Sequence, residues 1–342
     1  MDVLDRVPHD IYHLPAYHRL TGFGQKGTPQ AFAYQEGERA FLWPYLLTPI
    51  DGAPGCHDAT SVYGYPGPAA TPSPEFLTRA WHALLEHWRG QHVVSAFTRF
   101  HPLLENHRLL EHIPEAREGL REFGNTVCID LTLPADTQFQ QYHKNLRYDI
   151  RKAREAGLVT RIDDSWSCKA DFVAVYRDTM ARCGSRPEYV VDEAWVDEFR
   201  NTLGRRAKLF VTWKGDTVAA AMIVLVHHSI LQCHLTGSAP DLVAFSPSKL
   251  LLDDVRRWGL ENGYKSMHLG GGLGGREDAL YQFKRKFSPL THPFHTGSWI
   301  LDPALYRELD VRNRANYSAR GIDLGEVTYF PSYRFTPAPT GE

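Results

Sequence analysis

Apolar residues first recur at every second position. Ala31–Tyr34 and Ala40–Leu47 alternate aromatic and aliphatic residues on either side of Glu36-Gly37-Glu38, which predicts a hairpin. Residues 48–74 break that period. They are rich in Pro and Gly, hold the segment YGYPGP at 63–68, and predict a long loop of the kind that often carries function. After Pro74-Glu75, the positions Phe76, Leu77, Ala80, Leu84 and Trp88 repeat at helical spacing. Val93–Phe97 and Val127–Leu131 read as short strands, so the first half is β-β-α-β-β.

The second half opens with helices. Gln138–Gly157 predicts one strongly basic helix, and between Gln141 and Arg161 six basic residues face two acidic ones. A second helix follows Asp163-Asp164-Ser165, with Phe172, Tyr176, Thr179, Met180 and Cys183 on one face, and a third runs through Trp195 and Phe199. The period then returns to two. Lys208–Trp213, Val218–Val226 and Ile230–Leu235 form a meander, with Lys214-Gly215-Asp216 as a tight turn. Pro247 and Ser248 open a helix that stops at Gly263, Ser266–Leu269 is a strand, and GGGLGG (270–275) follows. The order of the two halves predicts an α/β protein with mixed α+β sheets, built from two related units in tandem. Their expected spans are 1–135 and 136–342, with the basic helix linking them.

Composition narrows the function classes. A length of 342 residues suits two domains, and 43% hydrophobic against 23% charged residues is ordinary globular usage. No apolar run approaches the roughly 20 residues that span a bilayer, and the first residues contain no apolar stretch of a signal peptide. Cys56, Cys128, Cys168, Cys183 and Cys233 are odd in number and make no C-x-x-C pair, which predicts reduced thiols and a cytoplasmic location. A net charge of -2 excludes a general nucleic-acid binder, so any RNA contact is local.

Four stretches then carry a resemblance. The β-β-β-α-β order of 208–269 looks like the core of the GNAT acyltransferase fold. YGYPGP resembles the aromatic-x-x-x-Gly-Pro loop of the Fem family, whose members hold two GNAT-like units in one chain. RYDIRKAREAGLVT (147–160) resembles that family's basic helix, Thr179 and Arg182 its T-x-x-R pair, and MHLGGG (267–272) with FKRKF (283–287) its ending. His268 stands where the family has an acidic residue, and the long helical hairpin of larger members is absent, leaving a short, FemX-like form. The resemblance covers about residues 10–290. It implies amide-bond formation with aminoacyl-tRNA as co-substrate, no permanently bound cofactor, and an amine on a peptidoglycan precursor or small natural product as acceptor.

The resemblance also assigns roles. Lys284 matches the family's F-K position and would steady the oxyanion of the reacting ester, with Phe283 shaping the pocket; the plain alternative is a basic turn with two core Phe anchors. Tyr63 and Tyr65 are candidates to line the acceptor groove, and Gly270, Gly271 and Gly272 to admit a ligand closely, although G-x-G-x-x-G is not met. Thr179 and Arg182 are further substrate-binding candidates. Arg147, Arg151, Lys152, Lys249 and Lys286 are candidates for tRNA phosphates, against the alternative of a solvated charged face. His234, on a central strand, is either a proton relay or a satisfied core histidine. No histidine spacing matches a metal motif, and His227-His228 in one strand should point to opposite faces. A coenzyme A enzyme of GNAT type carries glycines at the start of the helix after the central strands. Here that position reads AFSPSKLLL (244–252), which favours tRNA and leaves acyl-CoA as the alternative donor.

Overall fold

The computed structural model describes residues 3–20, 26–184 and 191–337. Its strands are β1 (Thr28–Glu36), β2 (Arg39–Pro49), β3 (His57–Thr60), β4 (Ala69–Ala70), β5 (Val93–Arg99), β6 (Leu120–Asp130), β7 (Leu158–Ile162), β8 (Ala207–Lys214), β9 (Thr217–His227), β10 (Ile230–Ser238), β11 (Ser266–Gly270) and β12 (Thr291–Ile300). Its helices are α1 (Pro15–Arg19), α2 (Pro74–Gly90), α3 (Pro114–Arg117), α4 (Ala135–Gln140), α5 (Lys144–Glu155), α6 (Lys169–Arg182), α7 (Glu193–Leu203), α8 (Pro247–Glu261), α9 (Ala279–Arg285) and α10 (Pro303–Ser318). No helix among the described residues is long and apolar enough to cross a membrane.

The chain forms two compact units that interleave in sequence. The first comprises Met1–His9, Lys26–Glu122 and His295–Glu342; the second comprises Asp10–Gln25 and Phe123–Phe294. The single boundary expected between 135 and 136 differs from this division. The chain from His295 onward belongs with the first unit. That return is made by β12, whose residues Thr296 to Ile300 pair antiparallel with Arg99 to Ser95 of β5, and no local pattern encodes a partner nearly 200 positions away.

In the first unit the strand order is β1-β2-β3-β5-β12, with β4 on β2. The hairpin predicted around Gly37 is present, and Gly37 takes φ +57, which costs glycine little. The apolar face of α2 (Phe76, Ala80, Trp81, Leu84, Trp88) is buried with Phe41, Trp43 and Tyr45 of β2 and Trp299 of β12. Burying each such ring contributes roughly 2–3 kcal/mol. The stretch 48–74, expected to be loop, contains β3 and β4. At four and two residues they are too short to show an alternation.

In the second unit the order is β6-β11-β10-β9-β8-β7, and only the β10–β11 pairing is parallel among these neighbours. β9 is buried from Ala219 to Val226, so it reads as an unbroken apolar run. Leu146, Ile150 and Ala153 of α5 share a core with Leu250, Leu251 and Val255 of α8 and with Met222, Val224 and Leu231 of the strands. α6 lies directly on β10: a Cβ on Gly237 would come within 2.5 Å of the Tyr176 backbone nitrogen. The single basic helix expected over 138–157 is two helices, α4 and α5. The break turns Tyr142 inward, where its ring meets Phe287 at 5.2 Å and its hydroxyl donates to Asp253 at 3.2 Å.

His227 and His228 correct the expectation of opposite faces. β9 ends at His227, His228 takes φ +46 in the turn before β10, and the two rings lie 4.0 Å apart. Strand alternation fails there because the chain is already reversing.

Candidate functional site

The second unit contains a break in its own sheet. β10 and β11 pair in parallel at Ile230–Ser266, Leu231–Met267 and Gln232–His268, and their pairing goes no further although both strands continue. Both bend at this level. The register of β10 on β9 shifts between Cys233 and Leu235, and that of β11 on β6 shifts between His268 and Gly270. Gly270 leaves the strand at φ +76, a turn that a side chain would oppose. Gly271 has no room for a Cβ, which would fall 2.8 Å from the Asn125 carbonyl. The glycines after β11 are therefore required by the backbone itself, whatever ligand they admit.

Lys284 reaches this break. It sits in the last turn of α9, half-buried, and its Nζ donates to the Gly271 carbonyl at 2.6 Å. Burial brings its ammonium down to about 8, with the facing Cys233 and Asp278 partly opposing the shift. Cys233 comes from β10, and burial pushes its thiol up to about 12. At neutral pH the thiol is therefore protonated and a poor nucleophile, while Lys284 is a cation with an easily lost proton. Phe283 is partly buried against the core and packs edge-on to Phe287, centroids 5.5 Å apart.

Asp278 sets the position of α9. Its Oδ1 accepts the Tyr281 N–H at 2.9 Å as the helix cap, and its Oδ2 accepts the Leu273 N–H at 2.9 Å. One carboxylate thus ties the glycine loop to the helix that carries Lys284. Asp278→Ala is expected to cost about 1 kcal/mol through the lost cap. It is also expected to lower the Lys284 titration further, since a negative charge that favours the ammonium is gone. Chemical denaturation and NMR titration of isotope-labelled lysine would read the two effects; an unchanged or raised Lys284 titration would contradict the assignment.

The opposite face of β10 holds a buried chain that sequence reading missed. Gln232 Nε2 donates to Asp10 Oδ2 at 2.7 Å, and Gln232 Oε1 lies 2.7 Å from His268 Nδ1. The amide orientation set by Asp10 makes His268 Nδ1 the donor. Asp10, Gln232 and His268 are all buried. Asp10 carries no sequence signal for this role because it lies 222 positions from its partner.

Other sequence candidates occupy different places. His234 is buried and stacks on Phe199 with centroids 5.5 Å apart, edge-on to Tyr17; burial holds it neutral, pushed down to about 3. That is the geometry of a core histidine. Arg182 and Thr179 form a clamp on the end of β10: Arg182 Nη2 donates to the Ser238 carbonyl at 2.9 Å and to Thr179 Oγ1 at 3.0 Å, and Thr179 Oγ1 accepts the Ser238 N–H at 3.0 Å. Lys249 is an ion-pair partner of Asp149 at 2.7 Å, so its charge is already compensated. Arg147 donates to the Gln140 carbonyl at 2.6 Å, Arg151 and Lys152 are exposed on α5, and Lys286 is exposed at the end of α9. Tyr63 and Tyr65 belong to the first unit. Their loop is fixed by Asn106, whose Nδ2 donates to the Pro66 and Pro68 carbonyls at 2.9 and 2.8 Å, and Tyr65 stands edge-on to His101. All five cysteines are free.

Residues 140–285 match the family model of the acetyltransferase (GNAT) domain. The matched stretch lies within the second unit. No curated protein matches the sequence significantly. Among solved structures, FemX is similar at TM-score 0.70 and 11% identity, over 90% of this chain and 98% of that one. The C-terminal domain of a protein from Agrobacterium fabrum assigned as a lysylphosphatidylglycerol synthetase is similar at TM-score 0.55 and 18% identity, over 84% of this chain and 88% of that one. At these identities the two structures speak for the fold, and the GNAT match over 140–285 supports acyl transfer.

Proposed function

We propose that the chain transfers an aminoacyl group from aminoacyl-tRNA to an amine of a small natural product or cell-wall precursor, forming an amide. The observation that carries this reading is the Lys284 ammonium held on the Gly271 carbonyl where β10 and β11 part. The acceptor nitrogen attacks the ester carbonyl carbon, and the carbonyl oxygen takes the negative charge. The C–O bond to the ribose then breaks, and the ribose hydroxyl leaves with the proton lost by the amine. Lys284 steadies the oxyanion, and a fixed cation in a water-poor site is worth most at that moment. The ester is already activated, so orientation supplies much of the remaining acceleration.

Two features favour tRNA over coenzyme A as donor. α8 begins with Ser246 at φ +57 and Pro247, with no glycine and one N–H fewer to offer a pyrophosphate. Lys249, the cation in its first turn, is held by Asp149 and by Ser246 Oγ at 3.2 Å. The Fem-like motifs of the sequence and the fold likeness to FemX and to a lysylphosphatidylglycerol synthetase, whose name records a lysyl group joined to a lipid, agree with an aminoacyl donor. The test is transfer of radiolabelled amino acid from a pool of charged tRNAs to amine acceptors, run beside acetyl-CoA. Product that disappears on RNase treatment of the donor is expected. Product formed from acetyl-CoA alone, with none from charged tRNA, would overturn the donor assignment and leave the acyl-CoA reading.

A further inference from the structure

The second unit presents two exposed aromatic rings, each with a lysine over its face. Tyr148 of α5 is 54% exposed, and Lys152, one turn on, holds its Nζ 5.3 Å from the ring centroid. Phe245, just before α8, is 37% exposed, and the Nζ of Lys214 from the end of β8 stands 4.4 Å from its centroid. The two sites flank one linkage: Asp149 beside Tyr148 pairs with Lys249, and Lys249 bonds the hydroxyl of Ser246, which follows Phe245. Segment 240–245 packs against α5.

Charge gives this surface a sign. Along α5, Asp149 is neutralised by Lys249, and Arg154 is taken by Asp253 and Asp254 at 2.7 and 2.8 Å. What remains on the helix is Lys144, Arg147, Arg151 and Lys152 against Glu155 alone, in a chain whose net charge is -2. A positive strip on an otherwise slightly acidic chain fits a polyanion. The exposed rings fit one kind of polyanion better than others, because an unpaired nucleotide offers a flat base and a phosphate on one flexible unit. A ring with a cation over one face can stack a base on its other face while the cation meets the adjoining phosphate. A base-paired helix keeps its base faces covered and could use only the cations.

We propose that Tyr148 and Phe245 are stacking platforms for the unpaired 3′ nucleotides of an RNA, with Lys152 and Lys214 meeting the adjoining phosphates. The assignment rests on the tRNA-donor reading and adds to it two aromatic contacts and their place in the fold.

Binding is measured by fluorescence anisotropy with labelled deacylated tRNA, and with the same tRNA trimmed of its unpaired 3′ nucleotides. The wild-type chain is expected to bind the intact tRNA more tightly. Tyr148→Ala and Phe245→Ala are each expected to weaken that binding about ten-fold while barely changing binding of the trimmed RNA; Tyr148→Trp, which keeps a stacking face, should restore it. Lys152→Gln should reduce the slope of log affinity against log salt by roughly 0.7. Both rings are exposed, so thermal melting of the alanine variants should match the wild type and exclude misfolding as the cause. Equal affinity of wild type and alanine variants for intact tRNA overturns the proposal, as does equal affinity of the wild type for intact and trimmed tRNA. Sedimentation with phosphatidylglycerol vesicles, lost in the same variants without any RNA preference, would assign the strip to a membrane surface and also overturn it. The donor reading is judged separately by the transfer assay. RNA-dependent transfer by variants that bind normally sinks these platforms alone, and transfer from acetyl-CoA sinks the donor.

Discussion

On the proposed role of Lys284, Lys284→Met is expected to lower kcat by about 100- to 1000-fold, the range found when one oxyanion donor is removed, and to leave the fold intact. Methionine keeps the length and the apolar stem while deleting the charge. Stability should hold or rise slightly, because burial disfavours the charged form of the lysine, as its lowered titration records. Wild-type kcat carries a matching signature in pH. The ammonium is present below about 8 and is lost as pH rises through that value, so the rate should fall on the alkaline side with one ionisation near 8. Deprotonation of the acceptor amine pushes the rate the other way, and Lys284→Arg, which stays charged, separates the two by removing the fall while retaining part of the rate. Steady-state kinetics with circular dichroism decides the matter. An unaltered kcat in the methionine variant would leave FKRKF as a basic turn with core anchors.

Asp253→Ala destabilises the second unit by about 3–5 kcal/mol, the cost of stranding a buried charge. Asp253 is 1% exposed on α8, and its Oδ1 accepts two bonds from Arg256, at 3.0 and 2.9 Å, and one from Tyr142. Its Oδ2 accepts Arg154 of α5 at 2.7 Å. Arg256 is only 3% exposed, and after the substitution its remaining side-chain partner is Gln138 at 2.9 Å. Arg154 retains Asp254 and partial access to water, so most of the loss falls on Arg256. Urea denaturation followed by tryptophan fluorescence reads the change, and a loss under 1 kcal/mol would show that solvent reaches Arg256. Because Asp253 joins α5 to α8, the basic strip should become more mobile even where the unit stays folded, which hydrogen exchange of α5 would detect.

Some of this was legible residue by residue. The turn at Gly37, the meander with its Gly215 turn and the helix stop at Gly263 were each marked by residues whose backbone preferences act within a few positions. Lys284 was legible only through family resemblance, since a basic residue between two phenylalanines has a plain reading as well. Lys249 and Arg154 looked like two more members of a basic face. Each lies about 100 positions from its carboxylate partner, and pattern alone cannot assign a charge to its counterion.

By itself the sequence determined the longer periodic elements and the kind of fold: its period-two and helical runs name strands and helices because burial of one face is decided over a few residues. The tertiary structure decided which strands meet, that the chain from His295 belongs with the first unit, that β10 and β11 part beyond Gln232 and His268, and that Lys284, Gly271 and Cys233 converge there. Those are contacts between residues distant along the chain. They arise from packing and pairing energies that no local run of side chains contains.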